Sequence, residues 1–278
     1  MNNTLTILLT LLLTGATLVL AQSDIKEQLT VPLTDPNKPG SLEVALIHGY
    51  IHVVGYGGKE VVIDAVSETG RRNRADDHNT NRNTESGMRR ISTNNSFDLT
   101  AEEKNNQVKI HTSSVNSPVN LTIKVPQRFS LKLNTINQGD ITVENVTGAL
   151  EINNVNGPIT LTNINGSVVA QTVNGDLKTT FREVHNNTPM AFSTLNGNVD
   201  VTFPSSVKAN VKLKSDNGDV FTDFDIDVDK SQPKATRTNQ SGMYRVTVDD
   251  WVYGKINNGG PEVMMKNMQG NIYVRKSK

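Results

Sequence analysis

The chain contains no cysteine, so disulfides, cysteine-held metals and thiol catalysis are all excluded. Aromatic residues make up only 5% of it, too few for a core built on large rings. Neither sign of charge dominates: 28 basic residues balance 28 acidic ones, and composition gives no reason to expect a nucleic-acid partner. Past residue 20 no apolar stretch is long enough to cross a bilayer. What is abundant is Asn, Thr, Val and Ile, a mixture suited to β-strands joined by polar turns.

The first residues, MNNTLTILLTLLLTGATLVLAQSD, carry an apolar run from Leu5 to Leu20 that closes on Val19-Leu20-Ala21. This reads as a secretory signal peptide, residues 1–21, cut after Ala21. The competing reading is a retained anchor, but 16 residues fall short of the ~20 that span a bilayer. The expected product is an exported protein, not an integral membrane protein, held together by burial and backbone pairing alone.

Between Gly139 and Leu177 a glycine recurs every nine residues, at Gly139, Gly148, Gly157, Gly166 and Gly175. Apolar residues follow each of the first four glycines at the second, fourth and seventh places: Ile141, Val143 and Val146 in the first block, Leu150, Ile152 and Val155 in the next. Alternation over the first two marks a strand with one buried face. The third predicts a corner after which the chain points inward again. Glycine supplies the backbone freedom that such a corner needs. Nine residues are too few to surround a core, so two blocks make one coil of 18. The signature returns at Gly197 and Gly218, giving intervals of 18, 18, 22 and 21 from Gly139. The expectation is an all-β fold, a single-stranded parallel β-solenoid of 18–22 residues per coil.

The flanks extend this reading. Residues 22–40 form an N-terminal extension and 41–278 one solenoid domain, with its regular core over 139–222. Gly40–Val66 alternates as a plausible first layer; 67–96 is a polar, Arg-rich inserted loop; the aromatic and Met-richer 241–278 is expected to cap the end. Asn156, Asn174, Asn196 and Asn217 precede the glycines, serving either their own turns or an amide ladder between coils.

Two stretches together carry a family likeness: LEVALIHGYIHVVGYGGKEVVIDA from Leu42, and VNGPITLTNINGSVVAQTVNGD over 155–176. The chain resembles a group of exported bacterial β-helical proteins named "putative adhesins", a domain of unknown function. The resemblance implies a cell-surface or periplasmic scaffold and brings no catalytic residues with it.

Several constellations bear on chemistry. Asp223, Asp225, Asp227 and Asp229 alternate with Phe224, Ile226 and Val228, which predicts either a cation- or base-binding face or a solvated edge. Trp251 and Tyr253 are candidates for stacking on a sugar or for capping the solenoid. His48 and His52 share strand parity but lack a third ligand. The nonapeptide calcium pattern fails, since each block has one glycine and Pro158, Ala149 and Ser167 stand where aspartate is needed. No motif calls for a cofactor. The expected function is a non-catalytic envelope scaffold that binds a glycan or protein surface; the alternative is a carbohydrate-active β-helix enzyme.

Overall fold

The computed structural model describes residues 25–67, 84–85, 88–89, 98–112, 118–137, 139–184, 188–229, 235–240, 243–248 and 250–278. The signal-peptide segment and nearly all of the Arg-rich 67–96 stretch lie outside these residues. Every regular element described is β; none is a helix.

Two ladders stand back to back, and each glycine corner carries the chain from the first ladder to the second. Of eight levels, seven make this step at a glycine. From the lower end, level 1 is Gln107–Thr112 with Val119–Pro126, level 2 Gly40–His48 with Ile51–Tyr56, and level 3 Phe129–Asn137 with Ile141–Glu144. The long strand Ile159–Asn174 serves twice: its start completes level 4, begun by Thr147–Asn154, and its end opens level 5, completed by Leu177–Glu183. Met190–Asn196 with Val199–Phe203 forms level 6. Glu262–Gln269 with Ile272–Lys276 is level 7, and Ala209–Asn217 with Val220–Thr222 is level 8. All pairings between successive levels are parallel.

The expected 18-residue register holds where the sequence repeats most strictly: Ile141 pairs with Ile159, and Ile159 with Leu177. Two parts of the expectation need correction. The architecture mixes parallel and antiparallel pairing rather than forming a single parallel solenoid. Leu99–Lys104, Glu60–Ser67 and Ile25–Pro32 close the lower end antiparallel, and Val252–Ile256 with Ile226–Val228 closes the upper end likewise. The levels are also out of chain order at both ends. The Gly218 coil does not follow the Gly197 coil, because the last segment of the chain, Glu262–Lys276, is inserted between them. At the other end Gly40–Tyr56 lies inside the level formed by residues 107–126. The segment expected as a terminal cap is therefore divided, part closing an edge and part inside the stack.

Alternation fills the interior with Ile, Val and Leu: Ile51, Ile141, Ile159, Leu177, Val199 and Ile272 form one fully buried row through the second ladder. Each such side chain contributes ~1.5–3 kcal/mol, and no cross-link supplements them. Phe181 stacks on Phe203 at 5.1 Å and meets Phe192 edge-on at 6.3 Å, widening the core at levels 5 and 6.

The glycine corner has a second cause beside the backbone freedom that the repeat suggested. Gly49, Gly157, Gly197 and Gly270 have φ of +114°, +153°, +146° and +123°, but Gly139, Gly175 and Gly218 do not occupy the left-handed region. What they share is closeness: a Cβ on Gly175 would stand 2.2 Å from the carbonyl oxygen of Gly157 one level below, and one on Gly218 would stand 1.9 Å from that of Gly270. The column exists because the backbones pass too near each other for any side chain.

A buried polar row locks the corner. Asn154 Nδ2 donates to Gly139 O at 2.7 Å, Thr172 Oγ1 to Gly157 O at 3.0 Å, Thr194 Oγ1 to Gly175 O at 2.9 Å, Asn267 Nδ2 to Gly197 O at 3.1 Å and Ser215 Oγ to Gly270 O at 2.9 Å. Levels 4 to 8 are thus each fastened to the one beneath by a short polar side chain three residues before the level's glycine.

Candidate binding surface

Because the interior rows repeat, the variation between levels falls on the outer faces. The seventh-place rule holds at alternate corners only. Val146 and Ile164 are fully buried, but Val173 is 37% exposed and Val155 half-buried on the outside of the first ladder. This corrects the expectation that they turn inward. Beside them Asn137, Asn156, Asn174 and Asn196 form the amide ladder: Asn174 Nδ2 donates to Asn156 Oδ1 at 2.8 Å and Asn196 Nδ2 to Asn174 Oδ1 at 2.7 Å. The ladder faces outward, and Asn217 leaves it to donate to Met268 O at 3.2 Å.

On the second ladder the residue three places after each glycine points outward. From level 3 to level 6 this row runs Thr142, Thr160, Lys178, Asp200, and then Tyr273 and Phe221 at levels 7 and 8. Phe221 and Tyr273 stack with ring centres 5.3 Å apart, and Phe221 remains 47% exposed. The Arg275 guanidinium lies 4.7 Å from the Tyr273 ring and its Nε donates to Asp200 Oδ1 at 2.8 Å. The hydrogen bond to Asp200 holds the guanidinium pKa above its ordinary value. Asn271 Nδ2 donates to the Tyr273 hydroxyl at 3.1 Å. The result is an exposed Phe221 stacked on a half-buried Tyr273, bordered by a fixed ion pair and by Thr202 and Thr180 in the row that continues from Arg275.

The residues singled out from sequence are dispersed. Trp251 and Tyr253 lie half-buried at the upper end of the first ladder, sharing the Lys212 ammonium at 4.6 and 5.8 Å from their ring centres. Tyr253 and Asp227 line one open depression of about 660 Å³ with Lys212, Lys255, Asn210 and Glu262. Asp223 is elsewhere, accepting from the Lys276 backbone N–H at 2.6 Å. Asp225 is exposed beside the buried Phe224, and Asp229 lies on the rim of the Tyr253 depression. His48 and His52 fall on different ladders, separated by the Gly49 corner, and His52 Nε2 meets Glu144 Oε1 at 3.2 Å. Among the described residues no three His, Asp or Glu side chains are grouped to hold a metal. Nor is any described helix long and apolar enough to cross a membrane.

The sequence profile described as Toastrack DUF4097 matches residues 127–275, from the start of level 3 to the end of level 7. The chain belongs to the Toastrack DUF4097 family. Three solved structures are similar to this family member. One is of a putative cell adhesion protein from Clostridium sporogenes ATCC 15579, 14% identical with TM-score 0.41, covering 92% of this chain and 100% of that one. Another is of a putative adhesin from Bacteroides fragilis NCTC 9343, 10% identical with TM-score 0.42, covering 92% and 98%. The third is of a putative lipid binding protein from Parabacteroides distasonis ATCC 8503, 9% identical with TM-score 0.27, covering 91% and 97%. No curated protein matches the chain.

Reasoning from sequence missed Phe221, Tyr273 and Arg275. The signal was present in the repeat itself, since Gly218-Asp219-Val220-Phe221 and Gly270-Asn271-Ile272-Tyr273 place an aromatic at the same step. Joining them required knowing that residues 50 positions apart occupy adjacent levels.

Proposed function

We propose that this chain is an exported, non-catalytic β-scaffold that binds a glycan along the outer face of its second ladder. The observation that carries this reading is the stack of exposed Phe221 on half-buried Tyr273 beside Arg275, Asp200, Thr202 and Thr180. Sugar rings have apolar faces that lie on aromatic side chains and hydroxyl rims that hydrogen-bond to Arg, Asp and Thr. The strip is straight and repeats every ~4.8 Å, which suits an extended polymer better than a compact ligand. Export rests on the N-terminal apolar segment and its small-residue cleavage site. In this reading the depression around Tyr253, Asp227 and Lys212, at the end of the first ladder, is open to a secondary contact.

The test is calorimetric titration of the purified protein with envelope-derived and soluble polysaccharides. Phe221→Ala and Tyr273→Ala are expected to weaken the interaction at least tenfold, ~1.4 kcal/mol, without changing the unfolding temperature by more than a few degrees. Release of shortened products from any polysaccharide would overturn the non-catalytic reading, and binding untouched by both substitutions would remove the glycan from this face.

A further inference from the structure

The outer face of the first ladder carries a column of aliphatic side chains that the glycan reading does not use. Ile47, Ile136, Val155, Val173, Leu195 and Met268 stand one above another on levels 2 to 7. Five of them are between 37% and 46% exposed. The column contains five of the large apolar side chains exposed among the described residues, and Val169 on the same face is a sixth. A groove of about 460 Å³ runs beside the column, between Val155, Val173, Leu195 and Met268. Monomeric proteins scatter exposed apolar residues singly; an unbroken row marks an interaction site.

We propose that this face is where two copies of the chain associate, as an isologous dimer with its two-fold axis parallel to the strands, between Val155 and Val173. Three features point to a second copy as the occupant. First, the row is one residue wide and is bordered by amides on both sides, Asn153 and Gln171 on one flank and the Asn156–Asn174 ladder on the other. A partner must offer aliphatic and amide rows at the same ~4.8 Å step, and a second copy of this stack does so by construction. Second, the column is palindromic in bulk. A two-fold axis between Val155 and Val173 sets Val155 opposite Val173 of the second copy, Ile136 opposite Leu195, and Ile47 opposite Met268. It also sets Asn153 opposite Gln171 and Asn134 opposite Ser193, pairs able to hydrogen-bond. Isologous contacts require this self-complementarity. Third, eight levels at ~4.8 Å and four outward positions at ~6.7 Å give a face on the order of 700 Å² in projection, near the ~800 Å² per partner of a standard interface. The chain's balanced charge leaves no net repulsion between copies.

The absence of cysteine makes the geometry directly testable. Ile136→Cys protein mixed with Leu195→Cys protein and mildly oxidised is expected to give a disulfide-linked heterodimer. Ile136→Cys alone is expected to give far less, because its two copies would sit three levels, ~14 Å, apart. Thr180→Cys, on the second ladder, supplies the background. Sedimentation equilibrium of the unmodified protein should yield twice the monomer mass. Val173→Lys with Leu195→Glu should weaken the association at least tenfold while far-UV circular dichroism stays unchanged. A monomer at 100-fold dilution series up to saturating concentration, or cross-linking no greater than the Thr180→Cys background, would overturn the proposal. So would monomers whose column is shielded by a bound glycan. Because these readouts report self-association alone, their failure is distinguishable from failure of glycan binding on the opposite face.

Discussion

The middle of the stack and its two ends are built from the same repeat but differ in chain order and in the strands that border them. Levels 3 to 6 follow chain order, pair in parallel, and are fastened by glycine proximity and the buried Asn and Thr row. Levels 1, 2, 7 and 8 are out of chain order, and the outermost two, 1 and 8, border antiparallel strands and carry ion pairs and charged hydrogen bonds at their edges. Glu103 accepts from the Thr34 and Asn106 backbone N–H groups at 3.0 and 2.8 Å, which holds its carboxyl below the usual range. The Lys214 ammonium does the same for Asp250 at 2.6 Å. The difference shows that a periodic interior specifies stacking without specifying which level stacks on which. Order and termination are settled where periodicity ends.

The comparison breaks most completely at the glycine column. Gly175→Ala places a methyl 2.2 Å from the Gly157 carbonyl and is expected to cost at least ~3 kcal/mol, seen as loss of cooperative thermal unfolding. Gly57→Ala at a lower-end turn meets nothing within 4 Å and should be neutral or stabilise by ~0.4–1 kcal/mol. If both were equally tolerated, close backbone approach would not be what holds the middle together.

A smaller effect runs the other way. Thr179 is fully buried in a row with Leu161 and Val201, and its hydroxyl has no partner. Thr179→Val keeps the shape and removes the desolvated hydroxyl, so denaturant melts should show a gain of ~1 kcal/mol.

The ends are sharpened by acid. A carboxyl whose folded pKa lies below its unfolded value adds stability that is complete above the unfolded pKa and is lost as pH falls through the folded one. For Asp250 that window opens below the ordinary carboxylate range. Trp251, the only tryptophan, adjoins it and reports on the upper end. Its emission is expected to shift on acidification before far-UV circular dichroism changes, and Asp250→Asn should show the shifted emission already at neutral pH. The amplitude is small because Lys214 and Asp250 are solvent-screened. Coincident transitions would mean that the ends and the middle unfold as one.

Much of the interior was legible in advance. Gly139, Gly157 and Gly175 with Ile141, Ile159 and Leu177 gave the register, because period-2 burial and an 18-residue spacing leave few other ways to stack. Val155 and Val173 misled for a physical reason: an apolar residue beside a corner satisfies the pattern whether it points in or out, and only packing decides. The aromatic pair was illegible because Phe221 and Tyr273 meet through a strand insertion that no local signal announces. The aspartates at 223, 225 and 227 alternate in sequence, yet only Ile226–Val228 is strand, so they do not share a face.

By itself the sequence determined an all-β chain of glycine-cornered coils with Ile, Val and Leu inside, since alternation and close backbone approach act over a few residues. The tertiary structure alone decided the order of the levels, the antiparallel closures and the character of the two outer faces. The order of the levels depends on contacts between segments 52 to 90 residues apart, where every coil offers nearly the same edge and the end strands determine which one is taken.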